Sequence, residues 1–237
     1  VNLLELTRKY CQEAVFIFTS TNKVYGDRVN FLALKEFKTR FDLKKGDKFY
    51  QGIDEDFPID NSIHSPFGIS KTAADLMVQE YGRYFGLQTG VFRLGVVAGG
   101  YQSGSFYQGF LSYMINQLKN DNVFKIIGYQ GKQVRDIIHS YDVVWAFYEF
   151  YKNPKKGEVY NLGGGRENAF SIIELIEKIE KLTGKKLKTG YKNKPRLGDH
   201  KWWVTNYAKF KRDFPHWRIT RSVEDIILDI YNDDLLR

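Results

Sequence analysis

With a single cysteine, Cys11, the chain can form no internal disulfide, and a reducing compartment such as the cytoplasm suits it best. No apolar run is long enough to cross a bilayer, and the opening Val1-Asn2-Leu3-Leu4-Glu5 does not read as a signal peptide. There is no low-complexity tract and no internal repeat, so neither a disordered nor a solenoid architecture is expected. Also missing is the glycine-rich turn between a strand and a helix with which dinucleotide-binding folds begin. Gly163-Gly164-Gly165 does follow a strand, but too few residues remain after it to build a nucleotide-binding half.

What is present is a chain of 237 residues, 43% hydrophobic and 16% aromatic, enough for one large domain or two small ones with an ample core. Its net charge of +8 points to an anionic partner. A nucleic acid and a nucleotide diphosphate are both open on charge alone. The lysine clusters at 44–48, 152–156 and 185–194 read as solvated faces.

Apolar periodicity predicts a helix over 1–10 and a fully buried strand over 14–18. A polar, aromatic insertion spans 27–61, with a helix expected over 31–41. It is longer than an ordinary strand-to-helix connection, so it should have a function of its own. A helix over 69–85 ends at Gly86, and a second buried strand spans 89–97. Further helices are expected at 106–120, 142–151, 206–213 and 222–231, with another running from a Ser171 cap to a stop at Gly184. Strands are expected at 124–127, at 159–162 and after Gly131. Buried strands alternating with helices make this an α/β protein built on a parallel sheet.

The chemistry concentrates in two stretches. The strand Ala14-Val15-Phe16-Ile17-Phe18 runs into Thr19-Ser20-Thr21-Asn22-Lys23-Val24-Tyr25-Gly26. His64-Ser65-Pro66 then opens the helix that carries Phe67 and Lys71, four apart and therefore on one face. His64 beside the helix start is open to solvent or to a substrate, and His139 reads as a hydrogen-bonding core residue. No metal is expected.

A hydroxyl cluster after a buried strand, then a helix with aromatic-x-x-x-Lys, resembles the catalytic segment of extended short-chain dehydrogenase/reductases. Further pieces extend the likeness: Gly52 to Pro58, Ser70 to Leu76, Arg93 to Gly100, Gly131 to His139, Asn161 to Arg166, and Arg196-Leu197-Gly198-Asp199. Within that superfamily the pattern is most similar to the CDP-paratose (CDP-tyvelose) 2-epimerases, with nucleotide-sugar 4-epimerases and dehydratases as the alternatives. The resemblance implies the C-terminal two-thirds of a Rossmann-type sheet with a small α/β substrate-binding region. About one hundred residues of a usual family member would precede it. Residues 1–100 and 136–165 would belong to the NAD-binding part, and 101–135 and 166–237 to the part that binds a nucleotide-diphosphate sugar, a CDP-sugar being favoured.

The resemblance also implies roles. Thr21, Phe67 and Lys71 occupy the catalytic positions. Thr19, Ser20, Lys71 and Leu94 would lie along NAD. Tyr25, Gln108, Gln133, Arg135, Arg196 and Asp199 would hold the substrate, the two arginines gripping the diphosphate. The family base is a tyrosinate, and Phe67 stands in its place; Tyr25 is the phenol that could substitute. Ala98, Gly100 and Tyr101 occupy a loop where relatives vary, and Tyr107 a position where Asp is common. Neither nucleic acid nor a membrane is an expected partner. Pairing of the 69–85 helices would give a homodimer or higher oligomer. A catalytically inactive relative that still binds a nucleotide sugar is the competing reading.

Overall fold

The computed structural model describes residues 1–102, 104–105 and 108–233. Helix α1 (Asn2–Tyr10) leads into β1 (Phe16–Thr21), and the insertion holds two short antiparallel strands, β2 (Lys35–Glu36) and β3 (Phe41–Asp42). There follow α2 (Pro66–Phe85), β4 (Thr89–Leu94), β5 (Val96–Ala98), α3 (Phe110–Lys119), β6 (Phe124–Ile127) and β7 (Val134–His139). Next come α4 (Ser140–Lys152), β8 (Glu158–Leu162), β9 (Ala169–Ser171), α5 (Ile172–Thr183), β10 (Thr189–Lys192), α6 (Ala208–Asp213) and α7 (Val223–Asn232).

Strands β1, β4 and β8 form a parallel sheet in that spatial order, with Thr21 opposite Leu94 and Leu94 opposite Leu162. The three strands therefore finish level with one another. Side chains alternate across the strands. Val91 and Val159 face α1 and α2 through Leu4, Val78 and Tyr81. Phe92 and Tyr160 face the other way, into an aromatic core with Phe150 of α4, Phe210 of α6 and Trp217. Helices cover both faces, and β4 is buried along nearly its whole length, its one charged side chain, Arg93, being paired with Asp75.

The single strand expected over 89–97 is two strands. The chain breaks step at Gly95, whose backbone N still donates to Leu162 O at 2.9 Å. A Cβ there would sit 3.2 Å from Asp136 Oδ1 and 3.3 Å from Thr205 Oγ1. Past this close approach the chain enters a second sheet, in which β5 and β7 are parallel and β9 runs antiparallel to β7. Strands β6 and β10 pair in parallel beside it. Their core is aliphatic and comes from α3, α5 and α7, with Met114, Ile115, Leu175, Ile179 and Ile227 fully buried.

Helix ends follow the sequence signals. Ser65 Oγ accepts from Gly68 N, Pro66 takes the first position, and Gly86 closes α2 in the left-handed region at φ 74°. Helix α2 thus starts three residues before the expected 69, which brings Phe67 into its first turn. Ser171 with Glu174, and Ser222 with Asp225, form capping boxes on α5 and α7.

The expected helix at 31–41 is absent. A 3-10 turn (Arg28–Phe31) and the β2–β3 hairpin stand there instead. Arg40, just before β3, and Asp42 within it lie two apart with their charged groups 3.6 Å from each other, and each reaches a further partner. Arg40 bonds Glu174, while Asp42 pairs with Arg166 at 2.7 Å and accepts from Trp202 Nε1 at 3.2 Å. These contacts outweigh a weak local helical pattern. The helix expected at 106–120 covers 110–119; Phe106 and Tyr107 lie outside the described residues. Among the described residues no helix is long and apolar enough to cross a membrane.

Gly82, within α2, gives a test of this packing. A Cβ there would lie 2.2 Å from Gly157 N and 2.2 Å from Thr89 Oγ1. Helix propensity alone would make Gly82→Ala stabilising by about 1 kcal/mol. The clash with backbone should dominate, for a net loss of about 2 kcal/mol. Thermal denaturation of the variant reads the sign directly.

Candidate functional site

The end of β1 and the start of α2 are held against each other. Lys71 Nζ donates to Thr19 O at 2.8 Å and lies 4.9 Å from the centre of the Phe18 ring. A Cβ added to Gly68, next to Phe67, would be 3.0 Å from Lys23 O, so the first turn of α2 rests on the residue two beyond Thr21. Thr21 Oγ1 accepts from Lys23 N at 3.2 Å and caps the 3-10 turn (Asn22–Tyr25). His64 fastens the same junction through Nε2 to Val24 O at 2.7 Å. Thr19, Thr21, Phe67 and Lys71 are therefore gathered at the C-terminal end of β1, the end where open parallel sheets bind ligands. The Phe67 ring is 55% exposed and stands out from that end.

Ser20 and Tyr25 are elsewhere. Ser20 Oγ donates to Asp75 Oδ2 at 2.5 Å, on the buried side of the strand. Asp75 accepts both arms of Arg93, at 3.0 Å each, and Gln79 Nε2 at 2.6 Å. Arg93 Nη1 donates to the Tyr25 hydroxyl at 2.9 Å, and that hydroxyl donates to Asn161 Oδ1 at 2.8 Å. This buried chain ties β1, α2, β4 and β8 together directly beneath Lys71. Tyr25 is fully buried, stacked on Trp203, and has no face toward a substrate. Burial pushes its phenol up to about 12, the Arg93 guanidinium only partly offsetting this, so it is a poor stand-in for a base. Ser20 and Tyr25 are core positions here, which corrects the places the sequence suggested for them.

The remaining substrate candidates do meet. Gln108, Gln133, Arg135, Arg196 and Asp199 line one cavity of about 210 Å³, floored by apolar groups including Phe124 and Ile126. Arg135 Nη2 donates to Asp199 Oδ1 at 2.6 Å, and its Nη1 to Val134 O at 2.7 Å. Gln133 Nε2 donates to Ile127 O at 3.1 Å. Burial opposes the charge on Asp199, but Arg135 and Lys23 beside it bring its carboxyl down to about 2. His200 is buried and held well below the usual imidazole range, first by burial and then by Lys23 and Arg135, so it is neutral; its Nε2 is 2.7 Å from Gly26 O.

The insertion buttresses this loop. Asn30 Nδ2 donates to Asp199 O at 2.9 Å, and Lys201 N donates to Asn30 Oδ1 at 2.6 Å. Ile53 N donates to Val204 O at 2.8 Å, and Trp202 and Trp203 pack under both segments. The length of 27–61 is thereby explained: it holds the Asp199 loop against β7.

Leu94 ends β4, level with Thr21. His139 caps α4, its Nδ1 accepting from Tyr141 N at 3.0 Å, and its Nε2 is 3.0 Å from Asp229 Oδ2. Two features escaped the sequence reading. Lys23 was part of a motif but carried no role; it lies 3.5 Å from Asp199 Oδ1 and 3.3 Å from Gly198 O. Asp75, four after Lys71 and so on the same helix face, was the available signal for the Arg93 pair.

The family model described as NAD dependent epimerase/dehydratase family matches residues 1–163. The chain is 38% identical over 187 residues to the CDP-paratose 2-epimerase of Salmonella typhi, an alignment taking in 76% of this chain and 53% of that protein. UDP-glucuronic acid 4-epimerase from Bacillus cereus, solved in complex with UDP-glucuronic acid and NAD, superposes with a TM-score of 0.76 at 24% identity, over 97% of this chain and 64% of that one. The dTDP-glucose 4,6-dehydratase from Bacillus anthracis, solved with NAD, gives 0.75 at 25% identity over 98% and 64%. The chain thus spans about half the length of the curated relative and under two thirds of these solved chains.

Proposed function

The chain belongs to the NAD dependent epimerase/dehydratase family, and on that premise we propose that it serves an NAD-dependent nucleotide-sugar epimerase acting at C2 of a CDP-dideoxyhexose. The observation that carries this reading is the joining of two sites. A cavity with Arg135, Arg196 and Asp199 on its wall is linked through Lys23 to the strand end that bears Thr21 and Lys71. A diphosphate on the arginines would lead the attached sugar toward that strand end. The CDP-sugar and the C2 position are supported by the likeness to CDP-paratose 2-epimerase. Residues 1–100 and 136–165 would serve the cofactor, and 101–135 and 166–237 the nucleotide. The protein would work as a homodimer or higher oligomer paired through α2, whose outer face exposes Ile69, Leu76 and Tyr84.

The residues present fit the nicotinamide end of NAD. Lys71 has three ammonium donors and commits one to Thr19 O, leaving donors for a ribose hydroxyl. Thr19 and Leu94 would flank the ring, and the glycine-rich cradle for the pyrophosphate is not among these residues. When bound, NAD supplies the acceptor and donor of the hydride. Thr21 would hold the reacting sugar oxygen by a hydrogen bond. The Lys71 ammonium would favour negative charge on that oxygen wherever a base is present to take its proton. Phe67 can take no proton, so turnover would need another acceptor, and a relative that binds the nucleotide sugar without turning it over is the competing reading.

Calorimetry with CDP-glucose, UDP-glucose and dTDP-glucose tests the reading. Binding is expected, tightest for the CDP-sugar, and Arg135→Ala should weaken it about tenfold to a hundredfold. Affinity that ignores Arg135, or no binding at all, would rule the site out.

A further inference from the structure

Gln133 stands just before β7, two residues from Arg135, and alternation along an extended backbone puts both side chains on one side. Both residues line the cavity. Arg135 Nη2 is committed to Asp199 Oδ1 at 2.6 Å, whereas the Gln133 amide turns toward β6 and donates through Nε2 to Ile127 O at 3.1 Å. That bond fixes which arm of the amide is which, because a carbonyl oxygen can face the NH₂ but not the amide oxygen. Oε1 is therefore the other arm. It is buried, in a residue only 6% exposed, and has no hydrogen-bond partner among the described residues. Buried polar atoms are nearly always paired, and an acceptor left alone is costly. The cavity wall thus asks for a donor that the described residues do not supply.

Placement says which part of a ligand comes here. Arg135, Arg196 and Asp199 make the charged wall of the cavity, and Phe124 and Ile126 of β6 contribute its apolar wall. Gln133, two residues from Arg135 and bonded to the end of β6, stands between the two. A diphosphate on the arginines would direct the attached nucleoside toward β6 and past Gln133. We propose that Gln133 Oε1 accepts a hydrogen bond from the nucleoside half of the bound nucleotide sugar, from a ribose hydroxyl or the amino group of cytosine, and so sets which nucleotide the cavity takes. The inference rests on the reading of the cavity as a nucleotide-sugar site and adds to it the residue that discriminates. A nucleotide without the matching donor would leave Oε1 unpaired in the complex, and sites built around a polar partner reject such analogues strongly.

Calorimetry with three probes tests it: CDP, UDP, which lacks the amino group, and 2′,3′-dideoxy-CDP, which lacks both ribose hydroxyls. Wild type should bind CDP about tenfold to a hundredfold more tightly than one of the two analogues. Gln133→Met keeps the size of the side chain without its amide oxygen. It should weaken CDP down to the level of that analogue and leave the analogue nearly unchanged. The bond to Ile127 O is lost in this variant too, but that loss acts on all three probes alike and cancels in their ratio. Collapse of the CDP-to-UDP ratio assigns the donor to the amino group; collapse of the CDP-to-dideoxy ratio assigns it to a hydroxyl. Equal wild-type affinity for all three probes, which needs no variant to read, would overturn the proposal. So would a ratio that Gln133→Met leaves intact. If Arg135→Ala weakens every probe while the ratios ignore Gln133, this inference alone falls. If wild type binds none of them, it falls together with the nucleotide-sugar reading.

Discussion

Phe67→Tyr is expected to raise epimerisation by about 10² to 10⁴, the usual worth of a positioned acid/base. The exposed ring lies in the first turn of α2, four residues before Lys71, whose ammonium is anchored on Thr19 O. A hydroxyl added there would stand beside that ammonium at the mouth of the site. A free phenol loses its proton near pH 10, and a neighbouring ammonium lowers that value. The gain should therefore carry a pH dependence, with activity rising toward the new phenol's pKa. The assay needs a bound dinucleotide, so it should be run with the glycine-rich segment of a family relative fused ahead of Val1. Lys71→Met in the Phe67→Tyr background should remove most of the gain. Equal rates with Phe67 and with Tyr would mean that another group takes the proton. A background rate in both would favour a nucleotide-sugar-binding protein without turnover.

Breaking the Asp75–Arg93 pair carries the largest expected loss of stability. Both side chains are buried, with two contacts of 3.0 Å between them, and Asp75 also holds Ser20 and Gln79. Asp75→Ala would leave the Arg93 charge buried without its counter-ion, at a cost of about 3–5 kcal/mol. Removing both partners, as Asp75→Leu with Arg93→Met, should cost clearly less, because no orphaned charge remains. Urea denaturation of the two single variants and the double variant measures the coupling. Additive losses would show that the pair is not an interacting unit. The pair also sets where Lys71 sits, since Asp75 is one helical turn below it and Ser20 lies between Thr19 and Thr21. Its partial loss should loosen the end of β1 before the cavity that Arg135 lines.

Much of the fold was legible because its signals are local. Ser171 with Glu174 marks the start of α5, Gly86 and Gly184 mark helix ends, and the run Phe16-Ile17-Phe18 announces the strand β1. The break at Gly95 was not legible. What decides it is Asp136 and Thr205, more than forty and one hundred residues away in the chain. The 31–41 segment failed for the same reason: Arg40 and Asp42 answer to Glu174, Arg166 and Trp202 rather than to their neighbours. Strand β9 has three residues, and β10, Thr189-Gly190-Tyr191-Lys192, lacks the apolar run that marks β6 at the same length.

The site was legible in part. Arg135, Arg196 and Asp199 line one cavity, and Lys71 bonds Thr19 O near the end of β1 that Thr21 closes. Motif spacing does not tell which way a side chain turns. Alternation along β1 sends Ser20 inward to Asp75, and the stacking of Tyr25 on Trp203 removes its phenol from the cleft. Lys23 was hidden by the reverse effect. A lysine in a turn reads as solvated until the Asp199 loop, about 175 residues later, is folded against it.

A crystal structure with bound CDP-glucose tests the central claim most directly, that one continuous site runs from the arginine-lined cavity to the end of β1. The account predicts the diphosphate on Arg135 and Arg196, with the glucose ring leading past Lys23 so that a ring hydroxyl lies within hydrogen-bond reach of Thr21. A diphosphate bound outside that cavity, or a sugar directed away from Thr21 and Lys71, would contradict it.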